Sequence, residues 1–158
     1  MKISSLAIFL LVGSLSLFAQ RVSESDPERN MENLRSMLEN GTVVKVQVLH
    51  VPDSTLTRVG LSPEALRSIA SINRTFSGPI KETFKPLLSG VSAKKEDQKP
   101  DLRWGLLFYD SQDHEIATVF VDKFGRYGYL GSSTVSFETG TFSANLARRL
   151  HRLISDSR

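Results

Sequence analysis

Residues 103–137 read RWGLLFYDSQDHEIATVFVDKFGRYGYLGSSTVSF, and the division of this stretch decides the fold. Four short runs rich in aromatic and branched residues, Arg103–Asp110, His114–Asp122, Arg126–Leu130 and Ser133–Phe137, are separated by turn formers, which is the signature of a β-meander. Lys123-Phe124-Gly125 fits a three-residue hairpin loop with glycine in the left-handed position, and Gly131-Ser132 fits a two-residue loop with glycine first. Ser111-Gln112-Asp113 makes the remaining turn, its aspartate tolerating the same left-handed backbone.

These loops set Asp110 opposite His114, Asp122 opposite Arg126 and Leu130 opposite Ser133, and period-two alternation sorts the side chains onto two faces. Trp104, Leu106, Phe108, Ile116, Thr118, Phe120, Leu130, Val135 and Phe137 share one face, with Phe120 opposite Gly128. The other face collects Leu107, Tyr109, Val119, Val121, Tyr127 and Tyr129, which include all three tyrosines of the chain. Tyrosine joins a rigid apolar ring to a polar tip and is enriched at interface hot spots, so these six residues form the candidate binding surface. In the competing reading, residues 80–91 or the N-terminal helix cross over and bury this face.

Upstream, Met1-Lys2 precede an apolar run, Ile3–Phe18, that ends at Ala19, the layout of a secretory signal peptide cleaved after Ala19. The run is shorter than the roughly 20 residues a membrane span requires, so no stable span is expected after cleavage. The expected location is exported, periplasmic or secreted, in a bacterial envelope. Residues 20–158 are long enough for one α+β domain with a core of its own, and the absence of cysteine argues against a small disulfide framework. Of the 20 Lys and Arg, Lys2 leaves with the leader, so 19 stand against 17 Asp and Glu, too small an excess to indicate nucleic-acid binding.

Ser25-Asp26-Pro27-Glu28 reads as a helix start, either with Ser25 and Glu28 as a capping box or with Asp26 as cap and Pro27 in the first turn, and leads into Met31, Leu34, Met37 and Leu38 at helical spacing, with Gly41 placed to end it. Thr42–Val51 reads as a strand with Val44, Val46 and Val48 on one side, pairing with an edge of the meander. Ser62-Pro63-Glu64 opens a second helix, with Leu61 and Leu66 spaced as a hydrophobic staple. Ile72–Phe76 reads either as the end of that helix or as an edge strand. Pro86 predicts a break near Lys85, and the charge-rich residues 92–100 read as a solvated loop. Leu146, Leu150, Leu153 and Ile154 make the apolar stripe of a C-terminal helix that covers the Trp104 face, with Arg148, Arg149 and Arg152 turned away. The fold class is α+β: an antiparallel sheet of about five strands, the meander plus one N-terminal strand, with helices packed mainly on one face.

The histidines, His50, His114 and His151, fall on separate elements without the close spacing of metal ligands, and Asp113-His114-Glu115 reads as a solvated turn. The chain carries no phosphate loop, nucleophile elbow or dinucleotide fingerprint, and no catalytic residue, metal ligand or cofactor is assigned. The leading expectation is a small exported, non-catalytic binding protein with a protein partner in the cell envelope. The alternative is a small envelope hydrolase or ligand-binding enzyme-like domain with a pocket between sheet and helices, lined by residues such as Trp104 and Tyr129.

Overall fold

The computed structural model describes residues 26–57, 59–138 and 142–155. The leader at 1–19 and the side chain of Leu146 lie outside the described residues. Asp26 caps α1 (Pro27–Glu39) by accepting the Glu28 N–H at 3.1 Å, with Pro27 preorganised in the first turn, and Gly41 follows the helix at φ +76°. β1 (Lys45–His50) then precedes α2 (Pro63–Ile69), whose cap Ser62 accepts the Ala65 N–H at 3.2 Å. β2 (Ile72–Phe76), α3 (Ile80–Leu88) and β3 (Ser92–Lys95) follow, and the meander is β4 (Leu102–Tyr109), β5 (Glu115–Asp122), β6 (Tyr127–Leu130) and β7 (Ser133–Glu138). α4 (Phe142–Ser155) closes the described chain.

The sheet is antiparallel and seven-stranded, in the order β2-β1-β4-β5-β6-β7-β3, so the expected five strands become seven by the addition of two edges. β2 is the edge-strand alternative for 72–76, held by the register Val46↔Phe76 to His50↔Ile72. β3 forms inside the run read as a loop. Ala93, the one apolar residue there, is buried opposite Phe137, while Lys94 pairs with Glu138 at 2.6 Å on the solvent side, as an edge strand tolerates. The break near Lys85 does not occur. Ile80, Phe84, Leu87 and Leu88 anchor α3 in the core, and Pro86 sits on the exposed side, where the Glu82 carbonyl that loses its helical partner stands near solvent.

The meander's register departs from the expected one at the first hairpin and in the next turn, and shifts once more at the start of β4, where Leu102 pairs with Asp122 but Trp104 with Val121. Tyr109↔Glu115 holds at the hairpin mouth, but Phe108 pairs with Ala117, so Ile116 is an extra residue in a β-bulge. A bulge of one residue inverts the faces of all that follows. The next turn is also one residue longer than expected: Val121 pairs with Gly128, and Asp122 winds a four-residue loop by accepting the N–H groups of Phe124 at 3.2 Å and Arg126 at 2.8 Å, with Gly125 at φ +67°. The bulge at Ile116 and the longer turn cancel. β6 and β7 return to the expected faces, the Leu130↔Ser133 turn holds with Gly131 at φ +59°, and β5 alone is inverted.

Consequently Val119 and Val121 enter the main core with Val46, Val48, Trp104, Leu106 and Phe108, beneath α1, α3 and α4. Phe120 lies on the opposite face with Leu49, Leu107 and Leu102, where α2 and Leu61 cover it through Leu66. Its ring covers Gly105 rather than the expected Gly128: a Cβ at 105 would meet two ring carbons at 3.0 Å. Among the described residues, three helices on one face and one short helix on the other cover the two sides of the sheet.

Candidate functional site

α2 divides the outer face of the sheet. It lies over β1 and β4, and beside it β5 and β6 leave a groove of about 620 Å³ between the helix start and the hairpin at Gly131-Ser132. The floor is Phe120 and Tyr129, which are paired across the strands, together with Thr118. One wall is Ser62, Glu64 and Arg67 from α2, and the other is Glu115 and Ser132 from the meander. Arg67 forks onto Glu115 with contacts of 2.7 and 2.9 Å, and its guanidinium lies 5.3 Å from the centre of the Phe120 ring. The hydrogen bond to Glu115 holds the guanidinium's pKa above its usual value, and backbone and Ser62 hydrogen bonds hold the Glu64 carboxyl below its own. The groove therefore presents charges already engaged in hydrogen bonds around a floor in which Phe120 and Thr118 are buried and Tyr129 is half-buried.

The six residues expected to form one patch are divided by the inverted strand. Val119 and Val121 are each 1% exposed in the main core on the other side of the sheet. Leu107 is buried in the cluster beneath α2. Tyr109, Tyr127 and Tyr129 remain half-buried on the outer face, Tyr129 in the groove. Tyr109 is committed to the fold: its hydroxyl donates to Gln47 Oε1 at 2.9 Å, and Lys45 Nζ sits 4.2 Å from its ring centre. Burial, followed by the charge of Glu115, pushes its phenol pKa up. The segment that covers this face is α2, neither 80–91 nor the N-terminal helix.

The Asp113-His114-Glu115 turn disperses its side chains. Asp113, at φ +67°, pairs with Lys45, His114 faces Asp110, and Glu115 holds Arg67. The other two histidines come together. His50 on β1 stacks on Trp104 at 3.7 Å between ring centres, and His151 on α4 meets both rings edge-on, at 5.0 Å from His50 and 4.8 Å from Trp104. His50 is 3% exposed, and its buried Nδ1 has no hydrogen-bond partner among the described residues. Burial first, and the neighbouring His151 second, lower its pKa to about 4, so it stands neutral at pH 7. The sequence did hold a signal for its burial: His50 continues the inward parity of Val46 and Val48. Its meeting with a helix a hundred residues later had none. No group of three His, Cys, Asp or Glu side chains arranged to hold a metal occurs among the described residues.

Fold and groove together define an α+β protein with an antiparallel sheet covered unequally on its two faces. Compared with protein-family models, with curated proteins and with solved structures, the chain has no match.

Proposed function

We propose that this is a small exported, non-catalytic binding protein of the bacterial cell envelope that engages a protein partner through the groove beside α2 and the tyrosines bordering it. The observation that carries this reading is the groove itself, an open concavity of about 620 Å³ with an aromatic floor, whose flanking Arg67 and Glu115 neutralise each other. The half-buried Tyr129, seated beside the buried Phe120, offers a rigid ring at low conformational cost, while the engaged rim charges fix orientation. The leader-like Met1–Ala19 stretch supports export. A tagged full-length protein, expressed with its leader and recovered from an envelope fraction, is expected to begin at or near Gln20 by mass spectrometry and to retain a cross-linked partner. Tyr127→Ala with Tyr129→Ala is expected to lose that partner while keeping the melting temperature within a few degrees. Retention of the partner by the folded double variant would remove the groove from the reading.

A second reading, a small hydrolase using the same groove, is favoured by one observation, a volume within the roughly 300–1,000 Å³ typical of ligand pockets. Turnover of short-chain nitrophenyl esters that is lost in Tyr129→Ala would select it instead.

A further inference from the structure

The two edges of the sheet are treated differently. At β3 the outward N–H of Ala93 is taken up by Glu28 Oε2 of α1 at 2.9 Å, so a helix closes that edge. At β2 nothing does. The Val51 N–H donates to the Arg103 carbonyl at 2.9 Å, and Leu49↔Gly105 and Gln47↔Leu107 continue that register, so odd-numbered residues of β1 bond to β4 and even-numbered ones to β2. Their partners Ile72, Arg74 and Phe76 are therefore used, and the N–H and C=O groups of Asn73 and Thr75 point outward, without a partner among the described residues. Arg74 stands exposed at the middle of this edge with no ion pair among the described residues, between the partly buried Ile72 and Phe76. A groove of about 590 Å³ runs beside it toward Ile154 and Ser155 of α4.

We propose that β2 is a strand-addition site for an extended segment of a partner protein in which an acidic residue is flanked, two positions away on each side, by apolar residues. The main-chain groups of Asn73 and Thr75 supply the ladder, and the alternation places the partner's acidic side chain beside Arg74 and its apolar pair beside Ile72 and Phe76. Charge complementarity selects this occupant over a second copy of the chain: antiparallel pairing of β2 with itself in the same register sets Arg74 against Arg74, a like-charge pair directly opposite. The site is separate from the groove beside α2 and does not depend on it.

The test uses the purified protein and a fluorescein-labelled heptapeptide, Ser-Val-Thr-Glu-Thr-Val-Ser, read by anisotropy. Binding is expected to weaken by about fivefold when lysine replaces the peptide's glutamate, the scale of one exposed ion pair. Arg74→Glu should reverse that preference. Thr75→Pro removes an N–H that points away from β1, so the melting temperature should hold while peptide affinity falls by about tenfold, the scale of one hydrogen bond. The proposal is overturned if the wild-type protein leaves the peptide free, if Thr75→Pro binds it as well as wild type, or if sedimentation shows that a second copy occupies the edge.

Discussion

Phe120 bears on two glycines in different ways, and the difference sets a measurable order. At Gly105 an added Cβ meets only side chains, the Phe120 ring at 3.0 Å and Leu66 Cδ2 at 3.2 Å, which can move by a few tenths of an ångström. At Gly128 it would fall 1.8 Å from the Phe120 carbonyl oxygen, part of the backbone of the central hairpin, which cannot move without breaking the ladder. Urea unfolding is expected to show Gly105→Ala destabilised by about 1–3 kcal/mol and Gly128→Ala by more than about 3 kcal/mol; equal losses would mean that the hairpin is not packed as described. His50 gives a second prediction at this scale. Its pKa is about 4 in the folded protein, below its ordinary value of 6.5, because burial and His151 disfavour the cation, with Arg103 adding to that effect and Asp53 opposing it. The folded state thus resists a proton that the unfolded chain accepts. The neutral ring's contribution to stability is full above about pH 6.5 and is lost as the pH falls through about 4. Between pH 7 and 4.5 the wild type should lose about 2–3 kcal/mol more than His50→Phe, which keeps a ring on Trp104 but cannot titrate. Parallel pH profiles for the two proteins would show that His50 does not titrate with folding.

At the scale of elements, α4 is fastened to the sheet by Leu150, which has no exposed surface, and by the nearly buried Ile154. Leu150→Ala is expected to cost about 2–5 kcal/mol, measured by thermal or urea unfolding, and an unchanged melting temperature would mean that α4 does not cover the Trp104 face. This element was legible in the sequence because an amphipathic helix repeats its signal every turn. So were the caps at Asp26 and Ser62 and the glycine turns at 125 and 131, where one residue type performs one backbone task. β5 was not. Thr118-Val119-Phe120-Val121 is apolar in both parities because the strand is covered on both faces, so alternation could not choose its register, and the bulge at Ile116 needs no glycine to announce it. That single inversion also divided the expected tyrosine and valine patch, leaving Tyr129 in the groove and sending Val119 and Val121 to the core. β3 escaped notice for the opposite reason: with lysines outward and only Ala93 inward, an edge strand looks like a loop.

Across the whole molecule, burial falls from the middle of the sheet outward, and resistance to opening should fall with it. β4 is buried at every position except Tyr109 and lies between β1 and β5 under helices on both faces, so its amides can exchange with solvent only when the domain unfolds. β2 is half-buried only at its ends, Ile72 and Phe76, and exposes the three residues between them, so it can leave β1 while both core clusters stay largely intact. β3 is as short and as marginal in composition, but α1 ties it through the Glu28 carboxylate on the Ala93 N–H and through the helix's own burial at Met31, Leu34 and Leu38. Native-state hydrogen exchange should therefore rank the β4 amides slowest, at the global unfolding free energy of about 5–15 kcal/mol typical of such domains, and β2 fastest of the strands. β3 should fall between them. Glu28→Gln tests the reason for the difference between the edges: a neutral amide oxygen is a weaker acceptor than a carboxylate, so exchange at Ala93 should speed up by several-fold while β4 is unchanged. If β2 and β3 exchange alike in the wild-type protein, the closed edge and the open edge are energetically the same, and α1 does not protect the sheet at β3.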